Sequence, residues 1–233
     1  MKPISFWRRL LDLISPRICV VCGHRLSASE EFICTKCNFH LSRTDFYKDP
    51  YENEMARLFW AQIPIERASA LFYYEPHAET ANIIYELKYK DQPEIGEVMG
   101  RMVAKELIPS GFFDGIDGII AVPLTKKRLH QRGYNQSEEI AKGVSEITGI
   151  PVFKKVVKRE NFKGSQTRLF RWSRQENVEK VFKLLDGPSI HGKHLLVIDD
   201  VVTTGATILA CSKELEKAGD VKISVLSLGF AKN

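Results

Sequence analysis

Residues 195–207 read LLVIDDVVTTGAT and predict a buried strand that leads into a binding site. Residues 195–198 are apolar without alternation, which is typical of a parallel strand covered by helices on both faces. Asp199 and Asp200 follow at the carboxyl end of that strand, the edge at which open α/β sheets bind ligands. The segment therefore predicts a parallel α/β sheet with a polar site at one strand end.

The turn after the two aspartates is suited to a phosphate group. Its residues are Thr203, Thr204, Gly205, Ala206 and Thr207. They run into the helical pattern of residues 208–218, so their N–H groups lie at a helix N-terminus. Gly205 can adopt a positive φ, and the threonine hydroxyls add hydrogen-bond donors. Because two carboxylates would repel a phosphate, they should bind sugar hydroxyls or a bridging Mg²⁺, and the implied ligand is a sugar phosphate.

Two other interpretations of this segment are an Asp-rich structural turn and the carboxylate pair of a nucleoside triphosphatase. The second requires a GxxxxGK[ST] loop, and the sequence contains neither that loop nor GxGxxG.

The same segment resembles the phosphoribosyl pyrophosphate (PRPP) motif of type I phosphoribosyltransferases at every position. The resemblance implies that Asp199 and Asp200 hold the ribose 2′ and 3′ hydroxyls. It also implies that residues 203–207 hold the 5′-phosphate and that Mg²⁺ accompanies PRPP.

The remaining pattern predicts how the chain is organised. With 233 residues, 44% of them hydrophobic, the chain can bury one core plus a small appendage. Strand patterns alternate with helical patterns of ten or more residues, which indicates parallel βαβ units. The predicted strands are residues 68–74, 118–122, 152–157, 195–198 and 221–228. The predicted helices are residues 78–89, 94–107, 137–148, 175–182 and 208–218. We expect two domains, residues 1–60 and 61–233, with residues 44–64 as a connector.

The sequence predicts no stable membrane insertion, since no apolar run approaches the roughly 18 residues that span a bilayer. Residues 4–14 have an amphipathic helical pattern. This helix packs on the protein's own core or lies on a membrane surface. The net charge of +5 permits a polyanionic partner if the positive charge is clustered.

Four cysteines near the N-terminus predict a structural zinc site. Cys19 and Cys22 form one CxxC pair, and Cys34 and Cys37 form a second after eleven residues. Each pair can bind one side of a tetrahedral ion, and metal binding would then supply folding free energy to a short loop. Disulfides are the alternative. His24 and His40 are reserve ligands or exposed loop histidines, and Cys211 is predicted to be a small buried residue.

Residues 122–136, VPLTKKRLHQRGYNQ, follow a predicted strand and should lie at the same sheet edge as the two aspartates. In type I phosphoribosyltransferases a loop at this position holds pyrophosphate, and by that resemblance Arg128 and Arg132 supply fork-shaped donors. The alternative is a solvated basic loop.

Residues 159–177, RENFKGSQTRLFRWSRQEN, interleave basic and aromatic side chains. Such a combination suits single-stranded nucleic acid, because cations follow phosphates and rings stack on bases. The predicted contacts are Arg168, Arg171, Trp172 and Arg174. The alternative is a mobile hood over the active site whose aromatic rings pack inward.

In chain order, five features resemble the ComF family, of the ComFC and GntX type, over nearly the whole chain. They are the paired CxxC, LKY at 87–89, RGYNQ at 132–136, SQTRL at 165–169 and the PRPP motif. A lone lysine such as Lys88 of LKY is by itself expected to be solvated. The resemblance implies a zinc-ribbon-like module before a type I phosphoribosyltransferase-like domain. It also implies a cytoplasmic role on single-stranded DNA, beside a helicase-like translocase, in DNA uptake and natural transformation.

Two hypotheses of different classes follow. As a binding protein, the chain would use PRPP to order the basic segment so that it holds DNA. As an enzyme, it would transfer phosphoribosyl from PRPP, with Mg²⁺, to an unknown acceptor. Residues 159–177 favour the first hypothesis, and the intact pair of aspartates favours the second.

Overall fold

A parallel four-stranded sheet organises the part of the chain that the computed structural model describes, residues 16–160 and 181–232. Its strands are β1 (Arg67–Tyr73), β2 (Gly118–Ala121), β5 (His194–Val202) and β6 (Lys222–Phe230). They lie in the order β1-β6-β5-β2, and each neighbouring pair is parallel. A separate antiparallel pair is formed by β3 (Val157–Arg159) and β4 (Phe182–Leu184).

Seven α-helices connect or flank these strands in the described residues. They are α1 (Thr35–Phe39), α2 (Glu54–Arg57), α3 (Ala81–Tyr89), α4 (Glu94–Leu107), α5 (Lys126–Arg132), α6 (Gln136–Thr148) and α7 (Ala206–Leu215). Short 3₁₀ turns lie at Phe46–Lys48, Ile108–Ser110 and Glu216–Ala218.

The central strand β5 is buried on both faces. Leu196 and Ile198 pack in a core with residues of α3, α4 and α6. Leu195 and Val197 point to the opposite face and pack with residues of α2 and α7. Because successive side chains alternate across a strand, an unbroken apolar run here requires two covered faces. The predicted parallel sheet with helices on both faces is confirmed.

Helices α4 and α6 pack closely because glycines line their contact. A Cβ atom on Gly100 would overlap the carbonyl oxygen of Ile140, and one on Gly143 would overlap that of Glu97. The backbones therefore approach more closely than any larger residue would allow.

The cysteine-containing module, residues 17–41, packs directly on the same core. Its buried residues Cys19, Val21, Leu26, Ile33 and Leu41 belong to the cluster that contains residues of α3 and α4. Arg101 of α4 joins the module to α6, since its guanidinium lies 2.8 Å from Glu31 Oε2 and 3.1 Å from Glu146 Oε2. The division at residue 60 stays a prediction.

The predicted strand 152–157 is wrong, and so is the predicted helical conformation of Phe182 at the end of residues 175–182. Of the predicted strand 152–157, only Val152 pairs with the sheet, through an isolated bridge to Ile119. Lys155 then adopts a φ of 60°, which interrupts an extended chain before β3 begins at Val157. Phe182, the end of the predicted helix 175–182, lies in β4 and pairs with Arg159, while residues 175–180 lie outside the described part.

The connector, residues 44–64, is more structured than its sequence pattern indicates. It contains α2, which Asn53 caps by accepting hydrogen bonds from the N–H groups of Met55 and Ala56. Met55 and Phe59 are fully buried in the core beneath α7. These residues therefore contribute to the α/β core.

Within the described residues, no helix is long and apolar enough to cross a membrane. The amphipathic pattern at residues 4–14 lies outside them.

Candidate functional site

The two aspartates lie inside β5 near its carboxyl end. The strand extends to Val202, beyond the predicted end at residue 198, because its pairing with β6 continues to Phe230. Asp200 is 8% exposed and Asp199 is partly buried. Burial, and then the negative charge of Asp200, raise the pKa of Asp199 to about 7. The pair is therefore an electrostatically costly arrangement, of a kind that is common at functional sites.

Two hydrogen bonds fix the orientation of the Asp199 carboxylate. The hydroxyl of Ser137, in the first turn of α6, donates to Asp199 Oδ1 over 3.0 Å. The backbone N–H of Asp200 donates to the same oxygen over 2.9 Å. These bonds favour the ionised carboxylate and partly offset the effect of burial on its pKa.

Lys88 is the counterion of Asp200, which the sequence pattern did not reveal. Its Nζ atom lies 3.1 Å from Asp200 Oδ2, and its side chain is only 22% exposed. The expectation that this lysine is solvated is therefore wrong. The sequence feature that could have indicated burial of Lys88 is its position two turns into an amphipathic helix, next to buried Leu87. No local pattern indicates which strand this lysine contacts.

The turn after the aspartates has the predicted geometry at its helix junction. Gly205 adopts a φ of 75° and forms the N-cap of α7, with its carbonyl accepting from Leu209 N over 2.8 Å. Thr203 and Thr204 are exposed, and Ala206 and Thr207 form the first turn of α7. A shallow cavity of about 40 Å³ lies against these residues and Asp199. Their N–H groups and hydroxyls are thus available at a helix N-terminus beside the acid pair.

The connector packs against the turn at Gly205. A Cβ atom on Gly205 would lie 3.0 Å from Phe59 Cε1, which is closer than ordinary van der Waals contact. The close approach and the positive φ together require glycine at this position.

The RGYNQ segment, residues 132–136, makes hydrogen bonds to α3, to the end of β2 and to the start of α6. Tyr134 donates its hydroxyl to Leu87 O over 2.6 Å, which joins it to α3. Asn135 is buried and donates to Val122 O over 3.0 Å, while its side-chain oxygen caps α6. Sequence reasoning missed these positioning roles.

Arg128 and Arg132 lie on α5, so the predicted basic loop is in fact a short helix. Thr125 caps it by accepting from Arg128 N over 3.3 Å, and Gly133 ends it with a φ of 78°. Together with the end of α3, this helix surrounds a cavity of about 980 Å³. The cavity is lined by Lys88, Tyr89, Asp91, Arg128, Gln131, Arg132 and Gly133. Three of these side chains are cationic, which suits a polyphosphate.

Arg159 is a further cation near the acid pair. Burial, and then the positive charge of Arg128, lower the pKa of the Arg159 guanidinium, while Asp199 opposes that change. Its Cζ atom lies 5.3 Å from the centre of the Phe182 ring. The basic segment 159–177 thus begins beside the site. The predicted nucleic-acid contacts Arg168, Arg171, Trp172 and Arg174 lie outside the described residues, so they stay a prediction.

The four cysteines converge on one point. The Sγ atoms of Cys19, Cys22, Cys34 and Cys37 all lie within 4.8 Å of one another, and all four thiols are free. Cys22 and Cys34 are 3.8 Å apart, which is about the edge of a tetrahedron with Zn–S bonds of about 2.3 Å. The donor set therefore fits a structural zinc ion. His24 and His40 are exposed and are not members of the cluster, and Cys211 is fully buried as predicted.

Backbone N–H donors favour the thiolate form of Cys19. Burial opposes ionisation of Cys19, but N–H groups of the module lower the pKa of this thiol to about 7. One of those donors is Cys34 N, 3.4 Å from Cys19 Sγ. Such N–H···S bonds stabilise a thiolate, the form that binds zinc.

Comparison with known proteins gives relatives in bacteria. The chain is 26% identical over 214 residues to the DNA utilization protein YhgH of Escherichia coli K12, covering 91% of this chain and 89% of that protein. It is 34% identical over 116 residues to Competence protein F of Haemophilus influenzae, covering 49% and 51% of the two chains. It is 35% identical over 109 residues to Competence protein ComFC of Streptococcus pneumoniae, covering 47% and 46%. No protein-family model matches the chain.

Among solved structures, the chain is similar to the glutamine PRPP amidotransferase of B. subtilis, with a TM-score of 0.40 and 19% identity. The similarity covers 60% of this chain and 30% of the amidotransferase.

Proposed function

We propose that this chain is a ComF-family protein with a phosphoribosyltransferase-like fold, and that it binds PRPP with Mg²⁺ and handles single-stranded DNA during uptake. In this proposal it acts in the cytoplasm, beside a helicase-like translocase, in natural transformation. Two of its relatives, Competence protein F and ComFC, are named as competence proteins.

The observation that supports PRPP binding best is the arrangement at one edge of the sheet. Asp199 and Asp200 lie at the end of β5, and the N-cap turn of α7 follows them directly. A ribose placed over the carboxylates would bring its 5′-phosphate to the turn. The cationic cavity between α3 and α5 would then receive the pyrophosphate, with Arg128 and Arg132 as donors.

Mg²⁺ would be held by PRPP oxygens and by the carboxylates of the acid pair, since hard cations prefer oxygen ligands. Bound Mg²⁺ would supply positive charge against the pyrophosphate. Lys88 adds a positive charge beside Asp200. Because Lys88 also lines the cavity, it could contact a bound phosphate there.

The second candidate is an active phosphoribosyltransferase, favoured by the retention of both carboxylates at hydrogen-bonded positions. In that case Ser137 and Lys88 would orient Asp199 and Asp200 against the ribose while the cations bind the leaving pyrophosphate. The described residues offer no side chain that indicates the acceptor.

Titration calorimetry with PRPP and Mg²⁺ tests the proposal. We expect binding by the wild type and a loss of about tens-fold or more for Asp200→Ala, because ribose or metal loses a charged partner. Thr204→Ala should cost less, since backbone N–H groups remain. Glu52→Ala is a matched control, an exposed acid near the amino end of β1, where Ala68 N binds Pro50 O. Equal affinity of wild type and Asp200→Ala would contradict the assignment.

Pyrophosphate release separates the two candidates. The protein is incubated with PRPP and Mg²⁺, with and without single-stranded DNA. Pyrophosphate release in either mixture favours the transferase, and PRPP binding without release in both favours the binding protein.

A further inference from the structure

We propose that Tyr85 and Tyr89 of α3, together with Lys90 and Arg132, form a stacking surface for single-stranded DNA, here called the tyrosine platform. The inference rests on the proposed function, because DNA handling is part of that function. It places a contact surface in the described residues, on side chains that do not belong to the basic segment 159–177.

The two tyrosines are unusually exposed for large aromatic residues on a packed helix. Tyr85 is 51% exposed and Tyr89 is 62% exposed, whereas Ile84 and Leu87 on the same helix are buried. Their ring centres lie 5.2 Å apart, as expected for residues at i and i+4 on one helix face. They form a continuous aromatic surface that the described residues leave uncovered.

A cation lies over one face of each ring. Lys90 Nζ lies 6.0 Å from the centre of the Tyr85 ring, and Arg132 Cζ lies 5.4 Å from that of Tyr89. A base stacked on the other face of a tyrosine ring would therefore have a positive group nearby for the adjoining phosphate.

The charge around the platform favours a polyanion. Helix α5 carries Lys126, Lys127, Arg128 and Arg132 and no acidic residue. On α3 and after it, Lys88 and Lys90 balance Glu86 and Asp91. A partner that needs both stacking and positive charge is single-stranded nucleic acid, whereas a purely apolar protein partner would not require the cations of α5.

The platform is also held in place before any ligand binds. Tyr134 donates its hydroxyl to Leu87 O over 2.6 Å, which fixes the end of α3 to the segment after α5. Lys88, between the two tyrosines, is held by Asp200. A preorganised surface loses less conformational entropy on binding.

Position links the platform to the proposed PRPP site. Tyr89 and Arg132 line the 980 Å³ cavity as well as belonging to the platform, whereas Tyr85 lies outside the cavity lining. Tyr85 is therefore the residue that tests the platform without altering the cavity wall.

The experiment is a fluorescence-anisotropy titration of the full chain with a labelled oligothymidylate at two salt concentrations. The variants are Tyr85→Ala, Tyr85→Phe and the control Tyr51→Ala. Tyr51 is also an exposed tyrosine, 62% against 51% for Tyr85, but it lies in the connector. We expect Tyr85→Ala to weaken binding about ten-fold, as is typical of one lost base stack. Tyr85→Phe and Tyr51→Ala should bind like the wild type, and circular dichroism should show that all variants fold.

A second measurement maps the contact directly. Photocrosslinking with an oligonucleotide that carries 5-iodouracil should modify the peptide that contains residues 85–90. Crosslinks confined to other surfaces, or equal affinity of wild type and Tyr85→Ala, would overturn the platform but not DNA binding itself. Absence of any oligonucleotide binding by the wild type at low salt would overturn both, while PRPP binding is measured independently by calorimetry.

Discussion

The two aspartates of the proposed ribose site differ in their nearest partners. Asp199 and Asp200 are adjacent in β5, and Lys88 is within 3.1 Å of Asp200 only. Asp199 instead has neutral donors, Ser137 Oγ and a backbone N–H. This asymmetry explains why the pKa of Asp199 is raised to about 7 by burial and by its acidic neighbour. The protonation of one residue therefore changes the site near neutral pH.

We expect Mg²⁺-dependent PRPP binding to weaken as the pH falls below about 7, by up to about ten-fold per pH unit, because protonated Asp199 is a poorer partner. Calorimetry between about pH 6 and about pH 8 measures this effect. The ionisation of PRPP itself is removed by taking the ratio of wild-type to Asp199→Asn affinity, which should fall with decreasing pH. A ratio independent of pH would contradict the prediction.

The same pKa shift makes folding stability depend on pH in the opposite direction to PRPP binding. A carboxyl whose pKa is raised above its ordinary value of 3.8 binds its proton more tightly in the folded chain. The ligand-free protein therefore loses stability from this group as pH rises from about 4 to about 7.

Replacing Lys88 by methionine should destabilise the fold by about 1–2 kcal/mol at neutral pH. The reason is that Asp200, 8% exposed and next to Asp199, would lose its lysine counterion. The value is reduced from that of a fully buried pair because Lys88 is partly exposed. Urea denaturation of Lys88→Met measures this, with Lys105→Met, an exposed lysine of α4, as control. Equal stability of both variants would show that the ion pair is of no consequence.

Among the elements, those with strong periodicity are predictable and those that depend on distant partners are not. The helix at Glu94–Leu107 agrees with its predicted bounds, because its apolar residues recur on one face. Strand β5 is longer than predicted, since pairing with β6 carries Asp199 and Asp200 into the sheet. Residues 152–157 have strand composition, yet the positive φ of Lys155 interrupts them.

The same distinction applies to the site. The PRPP-like segment and the four cysteines are contiguous or closely spaced, so their local pattern is sufficient. Lys88 contacts Asp200 and Phe59 contacts Gly205, and in each pair the two residues are more than 100 positions apart in the sequence. No periodicity or motif encodes such a contact in a single sequence.

Helix packing provides a test at the scale of elements. Gly143→Ala should destabilise the protein by about 1–3 kcal/mol, because the new methyl group meets the carbonyl oxygen of Glu97 on α4. In an uncrowded helix the same change would stabilise by about 1 kcal/mol, so the sign of the effect is diagnostic. Thermal or urea unfolding measures it, with Ser145→Ala on the same helix as a control that should change little. Stabilisation by Gly143→Ala would contradict the close contact.

In the whole molecule, the cysteine module and the α/β part share a core. Leu26 and Leu41 of the module lie in the same cluster as Ile84 and Val103. Arg43 also holds Glu106 of α4, with its Nε atom 2.9 Å from Oε2. The expected zinc ion would thus stabilise a module that is already anchored on one side, and its loss should act locally.

We expect the purified protein to carry about one tightly bound zinc per chain, and Cys34→Ser to release it. Three remaining thiolates leave the tetrahedron incomplete, so residues 17–41 should lose protection in hydrogen exchange. Strands β5 and β6 should keep theirs, because their core residues pack on both faces of the sheet without the module's thiols. Metal analysis and exchange mass spectrometry measure these effects, with Cys211→Ala as the control, since that thiol lies in α7 outside the cluster. Freshly purified wild type without zinc and with its thiols paired as disulfides would refute the metal site. Global unfolding of Cys34→Ser would instead show that the module and the sheet fold as one unit.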